Sequence, residues 1–227
     1  MSDNIDFAGL YPFLYAPVAD EPRARTALLD SVRRSTLAKC AEVVSLRAEL
    51  IAEYADALPR AAREIAVRFG AGAKLLAFGN GGSATDADDA AADCVTPPRD
   101  EWRSLPALSL SADSATVTAV ANDVGLASVF SRQLAALGER GDIALGFSTS
   151  GNSTNVVSAF REAKRRGLLT VAMAGYDGGE LARSGDVDFC FVARREFVPR
   201  IQEGHATLWH SLLDLVQLAL AERPRAG

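Results

Sequence analysis

The chain has 227 residues, 48% of them hydrophobic, enough for one large domain with a sizeable core or for one domain with an added helical segment. A net charge of −5 argues against a general nucleic-acid binder, and no apolar run is long enough to span a bilayer, so neither nucleic acid nor membrane is an expected partner. Asp3 and Asp6 stand where an export signal would be basic, and Cys40, Cys94 and Cys190 are widely spaced with no C-x-x-C pair, the pattern of free thiols in a reduced, cytoplasmic protein.

Residues 1–20 read as irregular, with Phe7, Tyr11, Phe13 and Tyr15 crowded around Pro12 and Pro17. Such an aromatic arm packs on its own domain or on a neighbouring subunit more often than it lines a site. From Pro22 to Leu58 the pattern is helical: Leu29, Val32, Cys40, Val43, Val44, Leu50, Ile51 and Tyr54 recur at threes and fours. This stretch is long for one helix of a monomeric domain, so it breaks or joins a bundle. Residues 1–58 are therefore assigned to an arm and an oligomerisation helix, and 59–227 to the domain proper. Pro59 suits the first turn of a second helix and Gly70 its end.

Lys74 to Phe78 predicts a strand that runs into Gly79-Asn80-Gly81-Gly82-Ser83 and then a helix from about Ala84 to Cys94. The glycine spacing is not that of a dinucleotide fingerprint, so no nucleotide cofactor is expected. The glycines serve either a tight turn or the close approach of a ligand. Ala107 to Ser111 is the next strand, Asp113 caps a helix through about Asn122, and Val129 to Leu137 gives another. Ile143 to Phe147 is a short apolar run of strand length. It is followed by Ser148, Thr149, Ser150, Gly151, Asn152 and Ser153, and Asn155 opens an amphipathic helix. Leu169 to Ala174 and Asp188 to Val192 are the last strands, and Ile201 to Leu220 is a long helix ended by Pro224.

Strands near 75, 108, 145, 171 and 190, mostly separated by helices, predict a five-stranded parallel sheet covered on both faces. In such sheets ligands sit beyond the carboxyl ends of the strands, where both polar loops fall. A helix N-terminus presents unpaired N–H groups and the positive end of its dipole, which suits a phosphate. The hydroxyls of Ser148, Thr149, Ser150 and Ser153 add donors, whereas a cap alone needs one or two. No lysine sits in the loop, so it is not a Walker P-loop.

In order along the chain come Gly79-Asn80-Gly81-Gly82-Ser83, Asn122-Asp123-Val124-Gly125, Ser148-Thr149-Ser150-Gly151-Asn152-Ser153-Thr154-Asn155-Val156, Gly175-Tyr176-Asp177-Gly178-Gly179, and Arg200-Ile201-Gln202-Glu203 with His210. Together these resemble the sugar isomerase (SIS) domain family, most closely its phosphoheptose isomerases, over roughly residues 45–222. The resemblance implies an α/β/α sandwich and a homotetramer with active sites built between subunits. It implies interconversion of sedoheptulose 7-phosphate and an aldose heptose 7-phosphate. It implies phosphate and substrate binding by Asn80, Ser83, Asp123, Ser148, Thr149, Ser150, Ser153 and Gln202, and catalysis by Asp93 and His210. Some members bind zinc, and the corresponding positions here are Asp89, Asp93, Gln202 and His210.

The chain departs from the family where chemistry is concerned. Asp93 stands where the family has glutamate, Asp89 where it has histidine, and Val95-Thr96-Pro97-Pro98 where it has leucine–threonine–glycine–arginine. An aspartate carboxylate falls roughly 1.5 Å short of a glutamate's. These departures keep open a second reading, a non-catalytic SIS protein that binds phosphosugars or a partner, in the manner of the DnaA initiator-associating protein.

Aldose–ketose interconversion moves a proton between adjacent carbons through an enediol, and needs a base near the carbons and an acid or second base for the oxygens. Asp89 and Asp93, four apart, share one helix face and serve proton transfer or a metal, unless Asp86, Asp88, Asp89 and Asp93 are simply a solvated acidic face. His210, among Leu208, Leu212 and Leu213, sits where a core histidine would, and His205 is structural or supporting. Gln202 and His210 are about 12 Å apart along a helix axis. Either Gln202 precedes that helix or the two serve one ligand from different subunits.

Overall fold

The computed structural model describes residues 22–222, with side chains from residue 25. The aromatic arm of residues 1–20 and Pro224 lie outside the described residues. The chain divides into two compact units, one ending at Val44 and one beginning at Ser45. Helix α1 (Pro22–Glu53) runs through this boundary. Up to Val44 it leaves Leu28, Leu29, Val32, Leu37 and Val44 exposed, an apolar stripe. The second unit thus starts earlier than residue 59. Its reason is local: Leu46 and Leu50 are buried, and Tyr54 accepts from Val192 N at 2.8 Å.

The predicted break of the long helical stretch falls at residues 54–56, after which α2 (Ala57–Gly70) begins. The remaining elements follow as β1 (Leu75–Gly79), α3 (Gly82–Val95), β2 (Ala107–Ser109), α4 (Ser114–Asp123), α5 (Val129–Leu137), β3 (Ile143–Ser148), α6 (Thr154–Arg166), β4 (Leu169–Gly175), α7 (Gly179–Arg183), β5 (Phe189–Ala193) and α8 (Val198–Ala221). All four strand pairings are parallel, in the order β2-β1-β3-β4-β5. The central strands are buried along their whole length, as a sheet covered on both faces requires.

Alternation along the strands feeds two cores. Leu75, Ala77, Leu145, Phe147, Val171 and Met173 face α2, α3 and α8, with Leu58, Ile65, Leu208 and Leu212 opposite. Leu76, Phe78, Ala144 and Ala172 face the other way, against Val129, Phe130 and Leu134 of α5 and Val156 and Phe160 of α6. This is the three-layer α/β/α sandwich expected from the sequence.

Three differences have physical causes. β2 stops at Ser109, because the Ser111 hydroxyl donates to the Gly79 carbonyl at 3.0 Å and accepts from Gly79 N at 3.2 Å, replacing backbone pairing. The short helix α7 opens on two glycines with positive φ, 88° at its N-cap Gly178 and 55° at its first residue Gly179. α8 begins at Val198, with Pro199 in its first turn, where a missing N–H costs nothing. Gln202 is therefore inside the helix, and the idea that it precedes the helix is corrected.

Candidate active site

Chain crossovers leave β1 toward β2 on one side and β3 toward β4 on the other, so β1 and β3 flank the point where the winding reverses. A doubly wound sheet leaves a crevice there, outside the carboxyl ends of its strands. Both polar loops, 79–83 and 148–153, leave those two strands and feed the N-termini of α3 and α6.

Neither helix is closed by a side-chain cap. The N-cap of α3 is Gly81, and Ser153 at the N-cap of α6 makes no side-chain capping bond. Ser153 Oγ instead meets Ser148 Oγ at 3.1 Å. The simple-cap explanation of the serine cluster therefore fails, and Asn155 Oδ1, which accepts from Val156 N at 3.0 Å, takes over part of that task. The hydroxyls divide their labour. Ser148, only 3% exposed, accepts from Gly151 N at 3.1 Å and pins the loop. Ser150 Oγ accepts from Asn152 N at 3.2 Å. Ser83 is buried at the start of α3 and Thr149 is half-buried.

The loop is braced from behind. A Cβ on Gly151, whose φ is 64°, would lie 2.1 Å from the Gly178 carbonyl oxygen. Asn152 Oδ1 accepts from Glu180 N at 2.9 Å and the Gly151 carbonyl from Leu181 N at 3.1 Å. The Gly175–Gly179 motif thus serves the serine loop by letting two backbones touch. The two polar loops are joined by a reciprocal amide pair, Asn80 Nδ2 to Asn155 Oδ1 and Asn155 Nδ2 to Asn80 Oδ1, each 2.8 Å. Asn80 is thus a bridge between loops. Asp123 is exposed at the end of α4, where its Oδ1 accepts from Asn122 Nδ2 at 2.8 Å, and it joins neither loop in these contacts.

A second group of residues lies at the far end of α3, which packs beside α8 with both helices running the same way. Near their starts, Gln202 Nε2 donates to Asp86 Oδ2 at 3.4 Å, and a Cβ on Gly82 would meet that amide nitrogen at 2.3 Å. One turn on, His205 is fully buried and Nε2 lies 2.9 Å from the Ala174 carbonyl oxygen, which can only accept, so Nε2 carries the proton. Its Nδ1 has no hydrogen-bond partner and lies 3.9 Å from Asp86 Oδ2. Further down, Asp93 and His210 meet, with Oδ2 and Nε2 3.6 Å apart, and Trp209 Nε1 donates to the same oxygen at 3.0 Å. Burial, with Asp93 beside it, pushes the adjacent Cys94 thiol up to about 12, so it contributes no thiolate.

Asp93 and His210 open on a cavity of about 310 Å³ whose wall includes Arg99, Trp102 and Asp214. Arg99 stacks over the Trp102 ring at 4.8 Å and reaches Asp214 Oδ1 at 3.3 Å. Two larger depressions, 420 and 400 Å³, open at the amino-terminal edge of the sheet beside Lys74 and Asp142, and are lined by no residue of the two polar loops.

Of the four positions aligned with zinc ligands, only Asp93 and His210 come together. Gln202 is turned to Asp86, Asp89 is exposed, and among the described residues no three His, Cys, Asp or Glu side chains gather as a metal site. Within one chain the donor set does not fit a four-coordinate zinc site. Sequence reasoning passed over Trp209, which looks like one more apolar residue of α8, and Asn155, which looks like a helix opener. The 93–210 pairing itself had no local signal.

The SIS domain family matches residues 40–175. The phosphoheptose isomerase of Thermodesulfovibrio yellowstonii is 43% identical over 185 residues, covering 82% of this chain and 91% of that protein. That of Pelobacter propionicus is 46% identical over 203 residues, covering 89% and 97%. The solved structure of phosphoheptose isomerase from Neisseria gonorrhoeae superimposes with a TM-score of 0.75 at 34% identity, over 82% of this chain and 98% of that one.

Proposed function

The chain belongs to the SIS-domain family, among its phosphoheptose isomerases, and we propose that it interconverts sedoheptulose 7-phosphate and an aldose heptose 7-phosphate through an enediol. The single observation that carries the chemistry is the meeting of Asp93 and His210, from segments 117 residues apart in sequence, at the wall of a cavity. Asp93 takes the proton from the carbon next to the carbonyl, and His210, whose imidazole can both donate and accept, moves protons at the oxygens. The serine loop and the N-termini of α3 and α6 hold the phosphate. Arg99 brings a guanidinium to the cavity wall one residue beyond the place where the family carries its arginine.

Ser83 and Asp93 stand ten residues apart on α3, about 15 Å along its axis. A seven-carbon sugar phosphate measures roughly 9 Å from phosphorus to its carbonyl carbon. Hydrogen-bond reach at the serine and at the carboxylate adds about 3 Å at each end, so one molecule spans that distance only when extended along the helix. We read the site as built between subunits, the phosphate loop of one beside the Asp93–His210 pair of another, as the resemblance to the family implies. The exposed apolar stripe of α1 supports that assembly, a homotetramer in our reading, working in the cytoplasm. No step above runs through a metal.

The test is a product assay on sedoheptulose 7-phosphate, with and without added zinc. Formation of an aldose phosphate is expected in both. Phosphate-dependent thermal stabilisation with no isomerisation of any sugar phosphate would replace this reading with the non-catalytic binding protein.

A further inference from the structure

Trp209 precedes His210 on α8 and is 4% exposed, part of the core that α8 and α3 share with the sheet. Its indole has a single polar atom, and a buried N–H needs an acceptor. The acceptor is the reactive carboxylate itself: Asp93 Oδ2, 3.0 Å away. The same oxygen faces His210 Nε2 at 3.6 Å. Asp93 Oδ1 takes no hydrogen bond among the described residues and is not among their buried unpartnered atoms, so it is open to solvent.

We propose that Trp209 is a positioning residue of the isomerase, whose indole N–H fixes Asp93 Oδ2 and leaves Oδ1 as the oxygen that takes the proton. This rests on Asp93 and His210 being the proton-transfer pair. An aspartate side chain turns about two bonds, and a carboxylate free to rotate spends much of its time misaimed. A donor on a ring locked in the core removes that freedom before substrate arrives, and the alignment of reacting groups is worth large factors in rate. The geometry also settles how the site tolerates a longer acid. Oδ2 is already at hydrogen-bond length from a ring that cannot retreat, so an added methylene drives the carboxylate against it. Asp93→Glu is expected to lower turnover, and to lower it less when Trp209→Phe has made room.

The experiment first measures turnover of the parent on sedoheptulose 7-phosphate. Trp209 is then replaced by benzothienylalanine, which keeps the shape of the ring system and puts sulfur where the N–H was. Loss of one hydrogen bond to a charged acceptor should lower kcat on the order of ten- to a hundredfold. KM and melting temperature should stay close to the parent's. In an Asp93→Asn background the same replacement should have no further effect, which a merely structural role would not produce. In Asp93→Ala the indole N–H resonance of Trp209 should move from its position in the parent. An active parent whose kcat is indifferent to the replacement, or an equal loss with and without the Asp93 carboxylate, would overturn this proposal alone. A parent inactive on every sugar phosphate would remove the isomerase reading, and this proposal with it.

Discussion

The two ends of α3 are built on different principles. At its N-terminus the Ser148–Ser153 loop and the glycine loop, the proposed phosphate cradle, are made of backbone and hydroxyls, each loop contiguous in sequence and locked by glycines that let backbones touch. At its C-terminus Asp93, Trp209 and His210, the proposed chemical centre, are side chains of two helices, held by a hydrogen bond and core packing. A phosphate is bound by many small dipoles that the local fold supplies. Proton transfer instead requires one or two groups placed within hydrogen-bond reach, and placement is a tertiary property. The first end should therefore fail gradually under side-chain changes and abruptly under backbone changes, and the second the reverse.

The largest expected effect is at the chemical end. Asp93→Asn keeps the shape and an acceptor for the indole N–H but removes the base. Turnover should fall on the order of 100- to 10,000-fold, the range for losing a general base. Binding of inorganic phosphate, read by calorimetry, should be unchanged, because none of the cradle's contacts involves Asp93. A parallel loss of phosphate affinity would mean that the two ends are not independent.

Next comes a backbone change at the phosphate end. Gly151→Ala sets a Cβ 2.1 Å from the Gly178 carbonyl oxygen at a φ of 64°. The loop must shift, at a cost of about 1–3 kcal/mol from strain alone. Phosphate affinity should fall tenfold or more and the melting temperature should drop with it, while the Asp93–His210 end keeps its geometry. Mixing unfolded Gly151→Ala and Asp93→Asn chains and refolding them together should restore part of the activity that each lacks alone, if sites combine ends of different subunits. Strict additivity of two inactive proteins would place both ends of a site in one chain.

This contrast also accounts for what could be read from the sequence. Apolar runs of strand length, helix openers such as Asp113, whose carboxylate accepts from Ala115 N and Thr116 N, and the glycine–hydroxyl loops are local, and the fold and the position of the two polar loops were legible from them. Spacing alone put Asp89 and Asp93 on one helix face, but only the resemblance to a family joined Asp93 to His210, since nothing local ties residue 93 to residue 210. Trp209 was legible by neither route, because an indole donor in an apolar helix face looks like packing until its partner is known. Of the two readings left open for Gln202, that it precedes the last helix is excluded, because the helix starts three residues earlier than its apolar pattern, at Val198 with Pro199 in its first turn.

The smallest effect should come from hydroxyls alone, and it sharpens the contrast most directly. Ser150 and Ser153 hold the loop only lightly: one accepts from Asn152 N at 3.2 Å, the other meets Ser148 Oγ at 3.1 Å, and Ser153 makes no capping bond. Ser148, by contrast, is buried and pins Gly151. A Ser150→Ala, Ser153→Ala double variant should therefore fold with the parent's stability and keep the cradle's backbone. Each lost hydroxyl removes one hydrogen bond to a charged ligand and leaves several N–H donors in place, so the net loss is a fraction of the gross bond strength. Phosphate affinity should weaken several-fold, KM should rise by a similar factor, and kcat should hold. A fall in kcat with KM unchanged would show the serine loop acting on the reacting carbons and not on the phosphate, and would erase the division between the two ends. Unchanged affinity in calorimetry would leave phosphate binding to the backbone N–H groups alone and remove both hydroxyls from the site.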